Sequence, residues 1–202
     1  MKLWYAAASP FVRKVVMLAY ETGLIDQIEL VNVANTALTP DAELAKLNPL
    51  GKIPTLLLDD GHTLFDSRVI SEYLDGLHDG EKMLPADGMD RYNTLVCQAM
   101  GDGIMETAVG IRYEQALRPE EYQYDIWMDA QQKKILQALD VLETWRLGRL
   151  QDIHLGSISV AAALAYLDFR QPDFNWREGR PVLTQMLATF SERESMLKTK
   201  AE

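Results

Sequence analysis

The chain has 202 residues, 48% of them hydrophobic, and its thirty acidic against twenty basic side chains give a net charge of -10. That acidity disfavours nucleic acid and anionic lipid as partners, and no apolar run approaches the ~18 residues of a membrane helix. A single cysteine excludes an internal disulfide framework, and without a secretory signal pattern a reducing, cytoplasmic location is expected.

Up to residue 77, short β-branched or apolar runs alternate with helical stretches in the order β-α-β-α-β-β-α. A strand is predicted at Lys2–Ala6, then a helix from Pro10 to about Glu21. On that helix Phe11, Val12, Val15, Val16 and Ala19 share one side, with Arg13 and Lys14 off the stripe. A strand at Gln27–Val33, a short helix around Asp41–Leu47, strands at Thr55–Leu58 and Thr63–Phe65, and a helix over Ser67–Leu77 follow. Residues 78–89, rich in glycine, proline and charge, read as a linker. Beyond it the period is helical: Asp90–Leu117 and Glu120–Leu147, divided by Arg118-Pro119, then Ser159–Phe169 and Pro181–Phe190. The expected organisation is an α/β domain over 1–77, a linker over 78–89 and an all-helical domain over 90–202.

No metal site is expected, because His62, His78 and His154 are scattered and Cys97 stands alone. Three short stretches carry more. Ser9-Pro10-Phe11-Val12-Arg13-Lys14 follows the first strand. Serine before proline is what an ordinary helix start prefers. The residue three after Ser9 is Val12 and not Glu or Gln, however, so no capping box closes and the N–H groups there stay available to an anion, with Arg13 in the first turn adding positive field. Asn48-Pro49-Leu50-Gly51-Lys52-Ile53-Pro54-Thr55-Leu56 is a Pro/Gly turn feeding a strand. A cis Ile53–Pro54 bond would turn the Ile53 N–H and C=O outward, towards an extended peptide. Phe65-Asp66-Ser67-Arg68 opens a helix and serves as a cap or as a carboxylate receptor.

In their order and spacing these stretches resemble the cytosolic glutathione S-transferase family, and most of all its bacterial serine-type members. The resemblance covers nearly the whole chain. It implies a thioredoxin-like N-terminal domain, an all-helical C-terminal domain and a homodimer. The implied activity is conjugation of glutathione to small, mostly apolar electrophiles in detoxification, with glutathione as co-substrate and no metal. It carries Ser9 over as the residue that stabilises the thiolate, with Phe11, Lys52, Ile53 and Pro54 on glutathione, and Asp66 and Ser67 receiving the γ-glutamyl end. Lys52 and Arg68 would offset glutathione's negative charge, and Met100, Ile104, Met105 and Tyr113 would line the electrophile's pocket. Alternatives are glutathione binding with little turnover, or glutathione-dependent peroxide or disulfide reduction.

Tyr5 is a rival for the thiol, since other branches of the family use a tyrosine near the end of the first strand. Cys97 reads as a core side chain. The family's Ser/Thr-x-x-Asp helix cap is expected at Ser159, where Ala162 stands in the place of the aspartate. On that alignment Ala162→Asp should stabilise the chain.

Overall fold

The computed structural model describes all residues except Asn35, Ala37, Pro40, 146–148 and Glu202. The described chain divides into two compact units, one of Met1–Leu84 with Arg193–Glu202 and one of Pro85–Glu192.

The first unit holds strands β1 (Lys2–Tyr5), β2 (Glu29–Asn32), β3 (Thr55–Leu57) and β4 (Thr63–Leu64) in the order β2-β1-β3-β4. β1 and β2 run parallel, while β3 is antiparallel to both β1 and β4. The parallel pair needs a crossover, which α1 (Pro10–Glu21) supplies. α2 (Ala42–Leu47) leads into β3, and α3 (Ser67–Gly76) follows β4. α1 has the bounds its sequence signals: Ser9 caps it ahead of Pro10, and it stops at Thr22 before Gly23 at φ 70°.

Around α1 the burial differs from the one-sided stripe. Lys14, expected off the stripe, is fully buried together with Val12, Val15, Met17, Leu18 and Ala19. A short final helix, α8 (Glu194–Lys198), belongs to this unit and packs on α1, as α3 does. Arg193 donates to both Glu21 carboxylate oxygens at 2.8 and 2.6 Å, and Ser195 Oγ donates to Glu21 Oε1 at 2.5 Å. The stretch after α3 is pinned too, because Asp75 is buried and accepts the backbone N–H groups of Met83 and Leu84 at 2.7 and 3.0 Å.

The second unit is helical: α4 (Gly88–Leu117), α5 (Asp125–Thr144), α6 (Leu155–Arg170) and α7 (Pro181–Ser191). α5 begins later than predicted, because a 3-10 turn occupies Glu120–Tyr122. It ends at Thr144, and Arg146 and Leu147 of the predicted end lie outside the described residues. α6 is the core of the unit, buried continuously from Leu155 to Leu164. It passes α4 so closely that a Cβ on Gly101 would sit 2.7 Å from the Ser159 carbonyl carbon, and one on Gly156 would sit 2.7 Å from Cys97 Cβ.

The cap of α6 is not where the sequence reading places it. His154 is the N-cap and its Nδ1 accepts from Gly156 and Ser157 N–H at 3.1 and 3.2 Å. Ser157 Oγ in return accepts the His154 N–H at 3.0 Å, closing a capping box. Ser159 is a buried interior residue, its hydroxyl donating to Asp102 Oδ1 at 2.7 Å, and Ala162 is fully buried rather than a missing cap partner.

Candidate functional site

Strand register gathers the three stretches. β1 leaves the sheet after Tyr5, and its Trp4 lies opposite Thr55, the first residue of β3. β3 and β4 pair Leu56 with Leu64, so continuing that antiparallel register by two residues sets Asp66 at the level of Pro54. The loop ending at Ser9, the Ile53–Pro54 bond and the Asp66–Ser67 helix start therefore emerge at one end of the sheet. Three neighbouring strands at ~4.8 Å spacing put about 10 Å between the outer two, the reach of an extended tripeptide.

At the first position Ser9 is extended, with φ -83° and ψ 120°, and its Oγ accepts the Val12 N–H at a long 3.4 Å. The hydroxyl hydrogen is not used in that bond. The Arg13 guanidinium is engaged with neutral groups of the C-terminal segment: its Nε donates to Thr199 Oγ1 and one Nη to the Met196 carbonyl, both at 3.2 Å. Burial lowers the Arg13 pKa from its ordinary value. Phe11 is half-buried on α1.

At the second position Ile53 is half-buried, Pro54 is buried, and the bond joining them is cis, as the resemblance implies. A residue without an assigned role holds this turn. Asn48, 1% exposed, donates from Nδ2 to the Lys52 carbonyl at 2.9 Å and accepts the Leu50 N–H at 3.0 Å, while Thr55 Oγ1 donates to the same Lys52 carbonyl at 2.8 Å. Asn before Pro-Leu-Gly is the signal that finds it, because a short amide closes turns on neighbouring backbone. Gly51, at φ 58°, supplies the left-handed step. The Lys52 side chain is exposed.

At the third position Asp66 is exposed and its Oδ1 accepts the Arg68 N–H at 2.9 Å, while Ser67 behind it is buried. Two helices, α1 and α3, thus begin at this end of the sheet, each presenting a partial positive charge. Tyr5, the rival, is the last residue of β1 and shares the face of fully buried Leu3 by strand alternation.

In the second unit Ile104 and Met105 are core residues, whereas Met100 is half-buried and Tyr113 is 42% exposed. Burial pushes the Cys97 thiol up to about 12, which makes it an inert packing group. Among the described residues no cluster of three or more His, Cys, Asp or Glu could hold a metal, and no helix is long and apolar enough to cross a membrane.

Residues 8–77 match the glutathione S-transferase N-terminal domain and residues 125–185 the C-terminal domain. An uncharacterized GST-like protein, YibF, from Escherichia coli K12 is 34% identical over 202 residues, 98% of each chain. A crystal structure of a glutathione transferase family member from Pseudomonas fluorescens Pf-5 with bound glutathione is 45% identical, with TM-score 0.97, over 100% of this chain and 98% of that one. Another from the same organism, with bound S-(propanoic acid)-glutathione, is 43% identical, with TM-score 0.92, over 100% of both chains. The chain belongs to the glutathione S-transferase family.

Proposed function

We propose that the chain is a serine-type glutathione transferase, conjugating the glutathione sulfur to small electrophiles. The observation that carries this is the convergence of Ser9, Ile53–Pro54 and Asp66–Ser67 at one sheet end, within a tripeptide's reach. The bound glutathione of a 45% identical relative supports the ligand. The S-substituted glutathione in the 43% identical relative is the chemical form that conjugation leaves behind, which favours transfer over passive binding.

The extended γ-glutamyl-cysteinyl-glycine is held with its middle unit on the Ile53 backbone and its γ-glutamyl carboxylate at Asp66–Ser67, where the α3 N-terminus attracts an anion. Lys52 lies at the same end and offsets the peptide's negative charge, and Phe11 packs beside the cysteinyl unit. The sulfur rests against the Ser9 hydroxyl. A free thiol has a pKa near 8.5, and a hydroxyl donor together with the start of α1 lowers it, so that more thiolate is present at neutral pH. The thiol proton passes to solvent, the sulfur forms a bond to the electrophilic carbon, and with a halide the leaving group departs with the bonding pair. A homodimer is part of this proposal, and sedimentation at twice the 22.9 kDa chain mass is its test.

The assay mixes protein, glutathione and an activated aryl chloride. One thiol consumed per chloride released is the expected result. Retention on immobilised glutathione with no release across a broad electrophile panel replaces this reading with glutathione binding alone, and turnover only with hydroperoxides or mixed disulfides replaces it with reduction.

A further inference from the structure

We infer that Arg112, Tyr113, Tyr166 and Arg170 form a receptor within the helical unit for the carboxylate of a small ligand with an apolar body. The glycine contacts fix the register of the two helices. Gly156 meets Cys97 and Thr94, and Gly101 meets Ser159 and Val160, so contacts advance C-terminally along both chains and α4 and α6 run parallel. Arg112 lies eleven residues past Gly101 and Arg170 eleven past Ser159, so both arginines stand ~16 Å along their axes from the same crossing and arrive at one level. Tyr166 is one helical turn before Arg170, and Tyr113 is adjacent to Arg112.

Arg170, which hydrogen-bonds the Tyr166 phenol, Arg112 and Tyr113 all lie close enough to act on Tyr166. Burial raises the Tyr166 phenol above its ordinary pKa, Arg170 and Arg112 oppose that, and Tyr113 reinforces it. Neither arginine has a carboxylate ion-pair partner among the described residues, although the protein carries thirty acidic side chains. The carboxylates nearby in sequence are committed elsewhere, Glu114 to Arg118 and Asp168 to Arg177 and Trp176. Arg170 Nε is buried without a hydrogen-bond partner, and its guanidinium stacks on Phe169 at 4.0 Å from the ring centroid. Two guanidinium forks without a carboxylate partner match a planar carboxylate, and the phenols and Phe169 suit an apolar body behind it. Phosphate is the poorer fit, because the surrounding rings leave few donors for its further oxygens.

The test is calorimetric titration with 3-phenylpropanoate and with its neutral amide, 3-phenylpropanamide. At least tenfold tighter binding of the acid by the native protein is expected. Arg112→Met and Arg170→Met should each erode that preference while leaving the amide's affinity unchanged, which also reports that the variants fold. Equal affinity for acid and amide in the native protein overturns the inference without touching the glutathione reading, as does a preference that survives the double replacement. A preference for the acid that both replacements abolish keeps the receptor, and binding of neither compound removes it.

Discussion

Ser9 separates a helix cap from a catalytic donor, because one substitution tests both. As a cap, its loss costs about 1 kcal/mol of stability. As a donor to a thiolate, a charge-assisted bond of roughly 1.5–3 kcal/mol, its loss lowers kcat/KM by about 10- to 100-fold. Ser9→Ala is therefore expected to keep glutathione affinity while turnover falls by that factor; unchanged turnover leaves Ser9 as a cap only. The α6 cap gives the opposite lesson about Ala162. Ala162→Asp places a carboxylate at a fully buried position and should lower stability by roughly 3–5 kcal/mol, whereas Ser157→Ala opens the capping box for about 1 kcal/mol. Thermal unfolding of the two variants checks this, and a rise in Tm for Ala162→Asp contradicts the observed cap. The sequence conceals this cap because histidine rarely caps a helix, so Ser159, with the conventional hydroxyl, draws the eye five residues too far. Ser9, Pro54 and Asp66 were easier to read, since each sits beside a strand or helix start with its own local signal. Arg112 and Arg170 carry no such signal, being brought together only by helix register.

Elements were legible where local chemistry marks both ends. α1 has Ser9-Pro10 at its start and Gly23 beyond its end, and its bounds follow. α8 spans five residues, less than two turns, so no period betrays it and the return of the C-terminus onto α1 is invisible in the pattern. That return depends on Glu21. Burial alone would raise the Glu21 carboxyl, but the hydrogen bonds from Arg193 and Ser195 and the Arg193 charge outweigh it and hold the group below its usual value. A lowered carboxyl favours the folded state above the unfolded value near pH 4.3, and the contribution is lost as pH falls through the folded one. Hydrogen exchange over residues 193–199 should be slow at neutral pH, quicken only below about pH 4, and be fast already at pH 7 in Glu21→Gln. Identical protection in the variant rules the clip out. At the α4–α6 crossing, Gly101→Ala meets backbone at 2.7 Å and should cost about 3 kcal/mol, while Gly103→Ala, with nothing within 4 Å, should be neutral or stabilising by ~0.5–1 kcal/mol. Equal effects in denaturant melts would mean the two helices can move apart.

At the scale of the whole molecule, an α/β unit with the proposed glutathione-binding residues at one sheet end is joined in sequence to a helical unit holding the arginine cluster. The class of fold was readable because a change from alternating to helical periodicity survives any error at element ends. The family was readable because three weak motifs fall in one order on strands that the fold then sets side by side. The pairing of β3 with β1 and β4 turns a linear order into one shared end of the sheet. The most direct measurement is calorimetric titration of glutathione into the folded protein at neutral pH. Saturable binding with Kd below about 1 mM, at least ~4 kcal/mol, is the expected result. A well-folded protein that takes up no glutathione at millimolar concentration contradicts it.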